Sequence, residues 1–352
     1  MILNGNSLES VTAAARLLEA GELVGLPTET VYGLGADAEN RQAVAKIFAA
    51  KGRPSDHPLI VHVADASAVA HFASQVPDFA NKLIAAFWPG PLTLILHRRP
   101  EVGAAAAGGQ DSIGLRCPSH PVAQALLKKL LEMPHPVYGI AAPSANQFGR
   151  VSPTTAAHVQ GEFGENLLIL DGGPCDLGIE STIIDCTRGV PVLLRPGSIT
   201  RAQVEAACGQ KALLNEELST DISAGPRASG TLESHYAPKA RVRLMNARAL
   251  QTALDVLGAE IDRSPAVKGV ALVDARADRP FIATYSRSIL RSSSSTVLRR
   301  RMPDDAVATA QQLFAVLREF DAQGVKLIWI ESPPDTPEWD GVRDRLQRAS
   351  AG

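Results

Sequence analysis

Apolar residues recur three or four apart at Leu8, Val11, Ala15 and Leu18, a helical stripe that runs up to Gly21. Asn6, followed three residues on by Glu9, reads as a capping box for that helix. The run Glu22 to Leu26 then reads as a strand entering Pro27. A second helix over Asn40 to Lys51 carries Val44, Ile47 and Phe48, and Gly52 stops it. Short apolar runs follow at Leu59 to Val63, Leu92 to Leu96, Ser112 to Cys117, Tyr138 to Ala142, Leu167 to Leu170, Thr182 to Cys186 and Val192 to Leu194. These read as strands. Ser152-Pro153 suits the N-cap and first position of a helix through Val159, and Thr200 with Gln203 makes another capping box, closed by Gly209. Helices and strands interleave too irregularly for repeated βαβ units, which predicts an α/β fold with a mixed sheet.

From Lys211 to Pro238 the periodicity is lost, and Gly, Ser, Pro and Ala dominate. A linker of that length is usually functional or disordered. A second pattern starts at Arg241: strand Val242 to Met245, helix Ala247 to Leu257, strand Gly269 to Val273, helix Asp304 to Phe320, strand Val325 to Ile330, then a helix to Ala349. The alternation predicts a smaller, doubly wound, Rossmann-like α/β domain. The expected organisation is a first domain over 7–205, a linker or lid over 206–240 and a C-terminal domain over 241–352. Within the last, the serine-rich basic run Ser286 to Arg301 reads as a solvated loop, with a weak RNA contact as the alternative.

At 352 residues the chain is long for one core and comfortable for two. With 35 basic residues against 37 acidic, no global attraction to polyanions exists, so any phosphate site has to be a local cluster. Four cysteines without a C-x-x-C pair argue against a zinc ribbon and a disulfide scaffold. The N-terminal run lacks a signal-peptide pattern. Pro89, Gly90 and Pro91 interrupt the most apolar long stretch, so no membrane span and a cytoplasmic location are expected.

Several runs combine hydroxyls, cations and glycine. Pro27-Thr28-Glu29-Thr30-Val31-Tyr32-Gly33 follows a strand, where glycine admits close approach of a ligand. Lys51-Gly52-Arg53-Pro54 ends a helix and precedes His57-Pro58-Leu59-Ile60-Val61-His62. Its two cations suit phosphate, while Lys51 could equally be an exposed side chain compensating the helix dipole. Arg116 lies within an apolar strand and needs an anion, either a structural partner or a ligand carboxylate. Ala142-Pro143-Ser144-Ala145-Asn146, Gly178-Ile179-Glu180-Ser181-Thr182 and Leu194-Arg195-Pro196-Gly197 complete the set. There is no Walker loop, no G-x-G-x-x-G after a strand and no metal-ligand spacing, so positioning and charge neutralisation must carry the chemistry.

In this order the motifs PTETVYGLG, KGRP with PLIVHV, FWPGPLTLIL, GLRCP, APSAN, GIEST and LRPG resemble those of the YrdC-like threonylcarbamoyl-AMP synthases. The linker run Ser229 to Pro238 and the tail with Asp344-Arg345-Leu346 resemble the family's longer, two-domain branch. The resemblance implies a YrdC-like twisted mixed sheet and a reaction of L-threonine, bicarbonate and ATP to L-threonylcarbamoyl-AMP and pyrophosphate. The product would pass to the machinery that makes threonylcarbamoyladenosine beside the anticodon of tRNA. By position in the motifs, Thr30, His62, Arg116, Ala142 and Ser181 would hold threonine or its carbamate. Arg53, His57, Ser112, Ser144, Ser152, Arg195 and Tyr236 would hold ATP, with Lys51 at the reacting centre and Mg²⁺ carried mainly on the phosphates. His57 stands where the family has asparagine, and Gln147-Phe148-Gly149 replaces small residues. The alternatives are a double-stranded RNA-binding module and a carbamoyl-transferring maturation factor, which would carry C-x-x-C pairs.

Overall fold

The computed structural model describes residues 1–218, 225–231, 235–263, 282–290 and 297–352. The chain divides into two compact units, Met1–Leu232 and Glu233–Gly352.

In the first unit the elements run β1 (Ile2–Asn4), α1 (Leu8–Glu19), β2 (Val24–Leu26), β3 (Gly33–Asp37), α2 (Arg41–Lys51), β4 (Ile60–His62), α3 (Val69–Phe72), β5 (Ala73–Gln75) and α4 (Asp78–Phe87). There follow β6 (Leu92–Arg98), β7 (Ser112–Arg116), α5 (Pro121–Leu131), β8 (Ile140–Ala141), α6 (Ala156–Phe163) and β9 (Leu168–Asp171). The unit closes with β10 (Thr182–Asp185), β11 (Val192–Arg195), α7 (Arg201–Cys208) and β12 (Leu213–Leu214). Among the described residues the strands form one mixed sheet in the order β1-β9-β2-β3-β8-β4-β7-β6-β10-β11-β12, with β5 on β6. The predicted mixed sheet is therefore present; β2, β4, β7, β8 and β10 are one to three residues shorter than their apolar runs, while β6 and β11 extend one or two residues beyond theirs.

Two caps differ from expectation. Ser7, not Asn6, is the N-cap of α1 and accepts from the Ser10 N–H. Ser152 is not a cap either: Thr155 caps α6, while Ser152 donates its hydroxyl to Glu180 and the Pro153 carbonyl accepts the Tyr32 N–H. Tertiary partners have taken the residues that local sequence assigned to a helix start. The Thr200–Gln203 box and the Gly52 and Gly209 stops, both with positive φ, form as predicted.

Because side chains alternate across a strand, one face of β4, β7, β6 and β10 carries Val61, Ile113, Leu115, Leu94, Leu96 and Ile184 into the core. The opposite face carries the polar residues. Register places His62 beside Arg116, Ile60 beside Gly114, and Ile95 beside Gly114. Ile183 pairs with both Thr93 and Arg195. Ser112, Arg116, His62, Thr93 and Arg195 thus share one face of the sheet.

The second unit contains β13 (Arg241–Met245), α8 (Ala247–Arg263), β14 (Ile282–Ser286), β15 (Val297–Arg301), α9 (Ala306–Ala322), β16 (Leu327–Glu331) and α10 (Asp340–Ser350). Its strands are all parallel, in the order β13-β16-β14-β15, as the alternating pattern predicted. The expected strand Gly269 to Val273 lies outside the described residues. The basic run is not simply a loop: its last part is β15, paired with β14, and Arg300 and Arg301 pair with Glu319 and Asp304. Their local compensation weakens the case for an RNA contact there.

Candidate active site

The turn between β2 and β3 is tied by one side chain. Thr28 Oγ1 donates to the Val31 carbonyl at 2.6 Å and accepts from the Thr30 and Val31 N–H groups at 3.2 Å. This fixes Thr30, whose hydroxyl accepts from Arg116 Nη1 at 2.8 Å. Arg116 Nη2 lies 2.7 Å from Glu29 Oε1, and Nε donates to the Gly90 carbonyl. All three side chains are buried. The anion that Arg116 requires is therefore Glu29, a residue that the motif reading left without a role. Next to Arg116 across β4 and β7 sits His62, with no well-formed hydrogen bond at either ring nitrogen. Burial, reinforced by the Arg116 charge, pushes its pKa down to about 3, so at neutral pH it is an uncharged imidazole. Ala142, buried at the end of β8, donates its N–H to Ile60 and flanks the same strand.

A second group of residues is cationic. Gly52 turns the chain at the end of α2 with φ 61°, setting Lys51 and Arg53 on either side of it. Lys51 is not an exposed cap: it is 2% exposed, and its Nζ donates to the carbonyls of Ser144 (2.6 Å) and Asn146. Burial, then the Arg53 charge, pull its pKa down to about 7 against an opposing pull from Glu162. Arg53 donates to the Pro58 carbonyl at 2.8 Å and lies 5.9 Å from the Phe148 ring centre, with His57 edge-on to the same ring. Phe148 thus supports both residues. Arg195 donates Nε to the Ser181 carbonyl and Nη2 to the Ser181 hydroxyl, which also bonds Thr93 at 2.8 Å. Gly197 is obligatory behind this group, since a Cβ there would meet the Thr182 nitrogen at 2.5 Å.

Residues 225–231 lie over this face. Ser229 accepts from Arg195 Nη1 at 2.8 Å through its carbonyl, and its hydroxyl meets Arg53 Nη2 at 3.4 Å. Arg227 pairs with Asp56 at 2.6 Å and its N–H donates to Gln110. Arg227, Ser229 and Gln110 line a narrow cleft together with Ser112, Thr93 and Ile60. Thr30, His62, Arg116, Ala142, Lys51, Arg53, His57, Ser112, Ser144, Ser152, Ser181 and Arg195 all belong to the first unit. Tyr236 belongs to the second, where its ring is buried against Phe314 and the Arg345 guanidinium lies over it. Glu29, Thr93, Glu180 and Ser229 were missed by motif reading. For Glu29 the signal was available: a buried arginine demands a carboxylate.

A neutral imidazole and an arginine-carboxylate pair, with the cations Lys51 and Arg53 at the end of α2 and Arg195 on β11, suit a small zwitterion and a polyphosphate. The comparisons agree with that class. The Sua5_yciO_yrdC family model, described as telomere recombination, matches residues 16–197. The Sua5_C model, described as the C-terminal domain of threonylcarbamoyl-AMP synthase, matches residues 199–351. The chain belongs to this two-domain Sua5 family. It is 39% identical to the threonylcarbamoyl-AMP synthase of Bacillus subtilis over 97% of this chain and 93% of that protein. The Pyrococcus abyssi enzyme of the same name is 36% identical over 97% of this chain and 94% of that protein. The structure of P. abyssi Sua5 complexed with L-threonine superposes with a TM-score of 0.82 at 33% identity, covering 99% of this chain and 97% of that one. Among the described residues no helix is long and apolar enough to cross a membrane.

Proposed function

We propose that this chain is an L-threonylcarbamoyladenylate synthase, converting L-threonine, bicarbonate and ATP to L-threonylcarbamoyl-AMP and pyrophosphate for tRNA modification beside the anticodon. The observation that carries this reading is the sheet face shared by His62, Arg116, Ser112, Thr93 and Arg195, on which Arg116 holds Glu29 and Thr30 and Ser229 links Arg195 to Arg53 at the end of α2. Threonine sits at the first group, with Ala142 and Ser181 against it. ATP lies at the second, contacted by Arg53, His57, Ser112, Ser144, Ser152 and Arg195.

The chemistry follows from those positions. The threonine amine becomes a carbamate, which is short-lived in water, and its oxygen then attacks the α-phosphate. Holding the two reactants in register supplies much of the rate. Lys51, Arg53 and Arg195 neutralise charge that builds on phosphate. Mg²⁺ travels on the ATP oxygens in this reading; the described residues contain no group of three or more His, Cys, Asp or Glu side chains that could hold it. Residues 225–231 act as a strap over the cleft, and Ser229 occupies Arg53 and Arg195 until phosphate replaces it.

This assignment is tested by pyrophosphate release. Release should require both threonine and bicarbonate, and serine, lacking one methyl, should lose roughly 1–3 kcal/mol in kcat/KM. Full-rate release without threonine would remove the reading.

Lys51 makes a pH-dependent prediction. Its pKa is lowered to about 7 in the free protein, and a nearby triphosphate should raise it. Binding ATP at about pH 8 should then take up close to one proton, and at about pH 6 almost none, so ATP affinity falls as pH rises between those values. Calorimetry in buffers of different ionisation enthalpy measures the uptake, and proton-neutral binding at both pH values would rule the shift out.

The strap gives another. Backbone amides of 225–231 should exchange faster with hydrogen isotope once ATP displaces Ser229 from Arg53 and Arg195, while the amides of β7 should not change. Unaltered exchange in 225–231 would mean that the strap stays in place.

A further inference from the structure

Glu29 is only 5% exposed, yet the sole partner of its carboxylate among the described side chains is Arg116 Nη2, 2.7 Å from Oε1. Neither oxygen receives a well-formed hydrogen bond, and Arg116 Nη2 donates none. A buried carboxylate with no donor is costly, and one that served only to anchor an arginine would be expected to take a two-pronged, fully bonded geometry. The imidazole of His62, the neighbour of Arg116 across β4 and β7, is equally without a well-formed bond. Three adjacent buried groups thus keep unused polar capacity, and the Thr30 hydroxyl lies against them.

We infer that Glu29 is the recognition residue for the ammonium of the amino-acid substrate. This rests on the threonine reading above and deepens it. Arg116 and Glu29 form a pair with no net charge, and an amino acid is likewise a neutral zwitterion. Placing the substrate carboxylate against Arg116 and its ammonium against Glu29 gives four alternating charges, so the site fills without burying net charge. The ammonium also supplies the donors that the Glu29 oxygens lack. Once the ammonium has given up a proton to solvent, the free amine condenses with bicarbonate to give the carbamate and water; an anion has then replaced the cation, and Glu29 repels it. The carbamate is therefore driven from Glu29 toward cations of the same sheet face, where its oxygen has to react.

The test compares binding of L-threonine with 2,3-dihydroxybutanoate, which keeps the carboxylate and side chain but has a hydroxyl for the ammonium. Titration calorimetry on the full chain should show wild type favouring threonine by at least about tenfold, because a site built for a charged donor rejects the analogue lacking it. In Glu29→Gln the preference should fall toward one. An equal loss of both ligands, with the preference kept, is the behaviour of a residue that only positions Arg116 and overturns the inference. Should Glu29→Gln fail to fold, Glu29→Asp keeps the charge but withdraws it by one methylene. Its preference should fall part of the way, and an unchanged preference again overturns the inference. Wild-type protein that binds no threonine at all would instead sink the functional reading on which this one stands.

Discussion

Lys51→Met is expected to cut turnover by about a hundredfold to a thousandfold, the scale of losing one preorganised group that stabilises developing charge. The fold should survive. Removing the ammonium leaves the Ser144 and Asn146 carbonyls without their donor, a loss of roughly 1–3 kcal/mol per buried group. Part of that loss is offset, since the lowered pKa shows that burying the charge is itself unfavourable. A melting curve beside a turnover assay separates the two effects. Near-normal turnover by a folded Lys51→Met would leave the lysine as a latch between α2 and the 144–146 loop and nothing more.

Arg116→Gln should fail differently, by losing stability and substrate together. It strands the Glu29 carboxylate in a buried site, which costs about 3–5 kcal/mol when one member of such a pair is removed. The double variant Arg116→Gln with Glu29→Gln removes the uncompensated charge and should regain much of the stability. Threonine-dependent turnover should stay lost in both. If the double variant melts no higher than Arg116→Gln alone, the pair is not the reason for the loss. If it turns over threonine normally, Arg116 does not hold the substrate.

Much of this site could be read in the chain itself because its motifs sit at the ends of strands and, for Lys51, at the end of a helix. The runs around Thr30, Lys51, Arg116, Ser144, Ser181 and Arg195 each announce a hydroxyl or a cation beside glycine or proline. What joins them is register. His62 and Arg116 are distant in sequence and become neighbours only because β4 and β7 pair in parallel, a long-range fact that no local pattern contains. The burial of Lys51 is hidden for a related reason: a helix-end position suggests exposure, while the 144–146 loop packs over it. Ser152 looked like a cap because Ser-Pro has that local preference, and a buried partner, Glu180, overrides it. In the second unit the strand Val297–Arg301 was hidden by three consecutive arginines, which read as solvated. They are tolerated because β15 ends the sheet order and its charges face outward to Glu319 and Asp304. The strap is the opposite case, for its missing periodicity was the signal: a segment without its own core is held by borrowed partners, Arg53, Arg195 and Gln110.

Mass spectrometry of the product decides whether this chain carries out the reaction. Incubation with ATP, L-threonine and ¹³C-bicarbonate should yield a species with the mass of threonylcarbamoyl-AMP carrying one heavy carbon, formed in step with pyrophosphate and absent when any substrate is omitted. Threonyl-AMP without the heavy carbon, or ATP consumed with no threonine-containing nucleotide formed, would contradict the account.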